Sequence, residues 1–155
     1  MKKILIALIM GITATAAFAQ SEIFELCERL DGITTVYISK AMLQLAGVSN
    51  LDCENVNISE LASKLESVEI INAEGAKSKR VKEYANAYFF SDSKKYESLM
   101  RIKDKDETVN MYMRKHHKQG SEFIIFVEEP KETSIIILTG SMTMEEVVKA
   151  VKNNQ

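Results

Sequence analysis

The chain has 155 residues, of which 46% are hydrophobic, 7% aromatic and 27% charged, with one proline and six glycines. That excludes a collagenous or low-complexity polymer and suits one domain with a single core, too short for the two-domain scaffolds of many dehydrogenases or ATP-driven enzymes. Two cysteines exclude a disulfide-rich scaffold, and a formal charge of −2 gives no polycationic signature for nucleic acid.

The first nineteen residues read as a signal peptide. Lys2 and Lys3 form a positive start, Ile4 to Ile12 an apolar run, and Ala17-Phe18-Ala19 the small residues that signal peptidase requires, with Gln20 as the new N-terminus. The apolar run is shorter than the ~20 residues that span a bilayer, and no other stretch is long and apolar enough to do so. No cysteine follows the cleavage site, so the chain is not expected to be a lipoprotein. Cleavage takes Lys2 and Lys3 from the 20 basic residues, leaving the 22 acidic ones four ahead. The expected product, residues 20–155, is an exported periplasmic or secreted domain.

Helical spacing occurs five times in that product. Ile23, Leu26, Cys27 and Leu30 form the first stripe, stopped by Gly32. Ile38, Ala41, Met42 and Leu45 form a second before Gly47. Ile58, Leu61, Ala62 and Leu65 form a third, with Asn57 as its cap and Glu60 reaching back. Val81, Tyr84, Ala85, Tyr88 and Phe89 give the longest stripe, between about Ala76 and Ser91. Met144, Val147, Val148 and Val151 close the chain behind a Thr143–Glu146 capping box.

Strands fill the gaps. Ile33–Ile38 is rich in β-branched residues and leads directly into the second helix at Ser39; Val68–Ala73 is another candidate. From Glu97 the period becomes two. Met100 and Ile102 alternate with Arg101 and Lys103, then Val109, Met111 and Met113 with Asn110, Tyr112 and Arg114, around a polar turn at 104–107. Phe123–Val127 and Ile135–Leu138 are continuous apolar runs, which predicts cover on both faces. The expected class is α+β: a largely antiparallel sheet with a C-terminal four-strand meander over about 97–139, packed by helices, and a final helix over about 143–152.

Val36-Tyr37-Ile38-Ser39-Lys40-Ala41-Met42, Tyr96-Glu97-Ser98-Leu99-Met100, Glu122–Val127, Ile135–Gly140 and Met144–Val148 together resemble domain-of-unknown-function family 4252. The resemblance covers nearly all of the expected mature chain and implies a small exported protein of Gram-negative bacteria with no established catalytic residue. Many such proteins look lipid-anchored; the missing cysteine keeps that feature from carrying over.

Chemistry-bearing patterns are sparse. Ser91-Asp92-Ser93-Lys94 matches S-x-x-K, yet no S-D-N follows and Leu138-Thr139-Gly140 lacks the lysine of K-T-G. Asp104, Asp106 and Thr108 are spaced like the start of a calcium loop, but Val109 and Lys115 stand where Gly and Glu are needed. His116 and His117 point to opposite faces of an extended segment between two lysines, which disfavours a shared cation. Lys77, Lys79, Arg80 and Lys82 read as a solvated helix face. No catalytic, metal or cofactor residue is therefore expected, and no cofactor.

Cys27 and Cys53 are the possible disulfide, since an exporting cell permits oxidation; against it, Cys27 lies on an apolar stripe and Cys53 between two acids. The possible interaction surface is the outer face of the 97–114 hairpin, with Arg101, Tyr112 and Arg114 as anchors and Leu99, Lys103 and Asn110 beside them, all turned away from a core side of Met100, Met111 and Met113. The functional expectation is a non-catalytic module contacting an unknown protein partner in the cell envelope, or an envelope-signalling accessory. A carrier of a small apolar ligand between sheet and helix is the alternative, and a hydrolase with an unrecognised site comes third.

Overall fold

The computed structural model describes residues 20–45, 52–53, 56–91, 94–116 and 120–152. In chain order these form helix α1 (Glu22–Glu28), strand β1 (Ile33–Ser39), helix α2 (Lys40–Leu45), a short pair β2 (Asp52–Cys53) and β3 (Val56–Asn57), and a 3₁₀ turn at Ile58–Glu60. Strand β4 (Leu65–Glu74) and helix α3 (Ala76–Ala85), continued by a π-helical turn at Asn86–Phe90, come next. The meander β5 (Glu97–Asp104), β6 (Glu107–His116), β7 (Gly120–Glu128) and β8 (Glu132–Gly140) and helix α4 (Met144–Lys152) complete the order. The class is α+β.

One six-stranded sheet organises the molecule, in the order β1-β4-β8-β7-β6-β5 with every neighbouring pair antiparallel. The C-terminal meander supplies four consecutive strands, and β4 docks on β8 to place β1 at the far edge. Both faces are covered, as the unbroken apolar runs of β7 and β8 require. On one face Val68, Met111, Phe123, Ile125 and Leu138 meet Val147, Ala150 and Val151 of α4, Leu43 of α2, and Ile58 and Leu61. On the other Ile71, Ile124, Phe126, Ile135 and Ile137 meet Ile23, Phe24 and Cys27 of α1 and Val81, Ala85 and Phe89.

Three local expectations change in the fold. The 58–65 stripe is no continuous helix: one 3₁₀ turn is followed by a hydrogen-bonded turn over 61–64, and Leu65 opens β4. Asn57 makes no cap hydrogen bond; its side chain takes the Ser59 hydroxyl instead. In α2 the buried residue is Leu43, while Met42 is 56% and Leu45 83% exposed, because this six-residue helix continues directly from β1 and its rotation follows the strand. Leu99 does not face outward with Arg101. The β5–β6 register shifts between Ser98 and Met100, and Leu99, the extra residue, packs on the α4 side of the sheet. The capping box of α4 is present: Thr143 N donates to Glu146 Oε2 (2.9 Å) and Glu146 N to Thr143 Oγ1 (3.3 Å).

Gly120 and Gly140 lock one corner. Gly120 has φ +90°, and a Cβ there would lie 2.1 Å from Gly140 O; a Cβ on Gly140 would lie 2.1 Å from Lys64 O. Three backbones meet where only glycine fits.

Candidate functional site

The residues of interest gather where the C-terminal end of α3 and the start of β5 lie over the α1–α3 face of the sheet. The π turn widens the helix and re-aims two adjacent aromatics. Phe89 goes inward, edge-on to Tyr96 at 5.2 Å, while Phe90 lies edge-on to Tyr112 at 4.7 Å and tilted to Phe126 at 5.9 Å. Beyond them an open groove of about 700 Å³ is lined by Phe90, Tyr96, Tyr112, Lys94, Lys95 and Lys115 among others.

The groove borders a gap in the sheet. Glu97 of β5 pairs with Met113, whereas β6 continues to His116, opposite Gly120. Among the described residues, 114–116 therefore have a strand neighbour on the β7 side only.

A second cavity of about 310 Å³ adjoins the first and shares Phe89, Lys95 and Tyr96 with it; Gln20, Ser21, Glu66, Arg114, Glu122 and Thr139 also line it. Strand register builds this floor. Ser67, Thr139, Glu122 and Arg114 lie in one transverse row, and Tyr37, Glu69, Ile137, Ile124 and Tyr112 in the next.

Two carboxylates in these rows are almost wholly buried, Glu69 at 4% and Glu122 at 5% exposure. Glu122 accepts from Arg114 Nη2 at 2.9 Å and from the Tyr96 hydroxyl at 3.0 Å, and the Arg114 guanidinium lies 5.2 Å over the Tyr96 ring. Burial, reinforced by the Glu122 charge, pushes the Tyr96 phenol well above its ordinary range. Glu69 accepts from Ser21 N at 2.9 Å and from the Ser21 hydroxyl, which also accepts from Phe24 N as the N-cap of α1. Burial pushes the Glu69 carboxyl up; the two Ser21 bonds pull it down, and Glu122 and Glu25 push it up further.

The expected interaction anchors keep the sidedness of their sequence pattern but do not share one exposure. Arg101 is exposed. Tyr112 and Arg114 do turn away from the methionine side, but that face is occupied: one ring is under Phe90 and the guanidinium is committed to Glu122. Asn110, expected outside, is buried at 7% exposure. A strand alternates sides, yet whether the second side meets water depends on the helix laid over it. Cys27 is a buried free thiol, held by burial at a pKa of about 11; the side chain of Cys53 lies outside the described residues, as do Asp92, Ser93 and His117. The Ser91 hydroxyl donates back to the Ala87 carbonyl, one turn earlier in its own helix.

The sequence patterns assign no chemistry to Glu69, Glu122, Tyr96 or Ser21. For Glu122 the readable signal is a carboxylate directly against a strand expected to be covered on both faces, since such a side chain must be buried on one of them.

Fold and cavities together describe a small α+β domain whose polar floor is built from paired, buried side chains. The chain belongs to the family of the Domain of unknown function (DUF4252), which matches residues 26–150. No curated protein and no solved structure matches it. Among the described residues no helix is long and apolar enough to cross a membrane, and no group of three or more His, Cys, Asp or Glu side chains could hold a metal ion.

Proposed function

We propose that the chain is a non-catalytic module, exported after cleavage behind Ala19, that works by contact with a protein partner in the cell envelope. One observation carries the reading: the open groove that joins the aromatic side chains of Phe90, Tyr96 and Tyr112 to Lys94, Lys95 and Lys115, beside the 114–116 stretch of β6, which among the described residues has a strand neighbour on the β7 side only. Among the described lining residues Lys94, Lys95 and Lys115 outnumber the carboxylate of Glu97, which favours an acidic segment, and the aromatic floor favours an apolar or aromatic residue within it. That edge suits an extended strand. The occupant is thus an extended acidic segment of a partner protein.

An apolar-ligand carrier is less well supported. The Val81–Ala85–Phe89 stripe is packed directly onto the sheet, and the space beyond it is open and rimmed by lysines.

The test places a photo-crosslinking residue at Ser98 in the native host. A discrete crosslinked partner should appear, and should disappear when Lys94, Lys95 and Lys115 are all changed to Glu, with the far-ultraviolet spectrum unchanged. A crosslink indifferent to charge reversal, or a small apolar molecule retained in native mass spectra, overturns the reading.

A further inference from the structure

Glu69 presents an unmet electrostatic need. It is 4% exposed, and among the described residues its hydrogen bonds come from Ser21 alone. No cation among the described residues pairs with it. The neighbouring carboxylates are engaged elsewhere or repel it. Glu66, also on β4, is paired with Lys40 at 2.6 Å; Glu122 of β7 is bound by Arg114 of β6. Helix α1 contributes Glu25, which repels it, and β1 contributes the Tyr37 phenol, which Glu69 in turn pushes up after burial has done so. Glu22 of α1, and Lys95 and Tyr96 ahead of β5, line the adjoining cavity. A buried carboxylate without a counter-charge is costly unless it is neutralised or paired.

The missing cation is covalently at hand. Consecutive backbone nitrogens lie roughly 3–4 Å apart, and Ser21 N is 2.9 Å from Glu69 Oε1. The nitrogen of Gln20 therefore falls within about 7 Å of that oxygen, in the cavity that Gln20 itself lines. In the uncleaved chain this nitrogen is a neutral amide. After cleavage behind Ala19 it is an ammonium.

We propose that the cavity bounded by Ser21, Glu66 and Glu122, beside the Ser21-bound Glu69, is a binding site for the chain's own processed N-terminus, whose Gln20 α-ammonium supplies the counter-charge to Glu69. Removal of the leader thereby completes the electrostatics of the α1–β4 junction. The ammonium steadies the Ser21 cap, and the cap holds α1 on the sheet. Cyclisation of Gln20 to a neutral lactam, with loss of ammonia, removes the charge and undoes the effect.

The inference rests on cleavage behind Ala19, which the intact mass of protein from the native host reads separately. The inference itself is tested on residues 20–155 released from a cleavable fusion, which retain every described element. Conversion of Gln20 to pyroglutamate by glutaminyl cyclase, under denaturing conditions followed by refolding, should lower Tm by roughly 2–6 °C near neutral pH. In Glu69→Gln the same conversion should change Tm by less than about a third of that. An equal loss in both backgrounds, or no loss in either, overturns the proposal. If Glu69→Gln does not fold, the titration of the Gln20 amine in ¹⁵N-glutamine-labelled protein decides. A midpoint above the ordinary ~7.7–8.0 supports capture, and one within or below that range overturns it.

Discussion

Arg114 Nη2 lies 2.9 Å from Glu122 Oε2, joining neighbouring strands through a carboxylate whose side chain is only 7% exposed, while the arginine side chain as a whole is 32% exposed. The pair sits on the face that strand alternation alone would assign to solvent. Arg114→Ala should therefore act first on stability, stranding a buried charge at a cost of ~2–3 kcal/mol, reduced from the fully buried case by the partial exposure of the arginine. Urea titration reads this directly. A midpoint within error of the parent would mean that the pair contributes nothing.

Gly140 should tolerate no side chain. Its Cβ would meet Lys64 O at 2.1 Å, backbone against backbone, and Ser141 N donates to the same carbonyl at 2.9 Å. Gly140→Ala is expected to cost roughly 2–4 kcal/mol and to separate the 61–64 turn from the end of β8. Amide exchange at Ser141 should quicken more than exchange in the centre of β7.

Cys27 should be chemically silent. Fully buried, with a pKa of about 11, it remains a thiol at pH 8, and the thiolate is the reactive form. Peptide mapping after iodoacetamide treatment of the native protein should find Cys27 unmodified, and denaturant should expose it to rapid alkylation. Labelling of the native protein at Cys27 would contradict its burial.

Glu146 should couple α4 to acidity. The Lys64 side chain and the Thr143 cap hold its carboxyl below the usual range. A lowered folded-state value contributes stability that is complete above the unfolded value of about 4.5 and is lost as pH falls through the folded one. Amide exchange over 144–152 should therefore accelerate between about pH 5 and pH 3 relative to the rest of the chain. Glu146→Ala should abolish that relative change.

Much of the architecture is written in local patterns. The period-two alternation of 97–114, the unbroken apolar runs of 123–127 and 135–138, and the Thr143–Glu146 box each fix an element through interactions a few residues apart, and all three are found in the fold. A segment whose apolar spacing fits two conformations is decided elsewhere. Ile58, Leu61 and Leu65 fit a helical stripe, yet Leu65 opens a strand because β8 offers a full partner edge from Gly140 to Glu132. Likewise alternation sorts Tyr112, Arg114 and Asn110 away from the methionines but is silent on what lies opposite them. The π turn of 86–90 and the packing of α1 and α3 decide that, through contacts between residues far apart in sequence. The buried Glu69 and Glu122 belong wholly to this second kind. A carboxylate looks the same in a solvated strand and a covered one, and only the tertiary arrangement of Ser21, Arg114 and Tyr96 around them sets the dielectric and supplies the hydrogen bonds that let them stay inside.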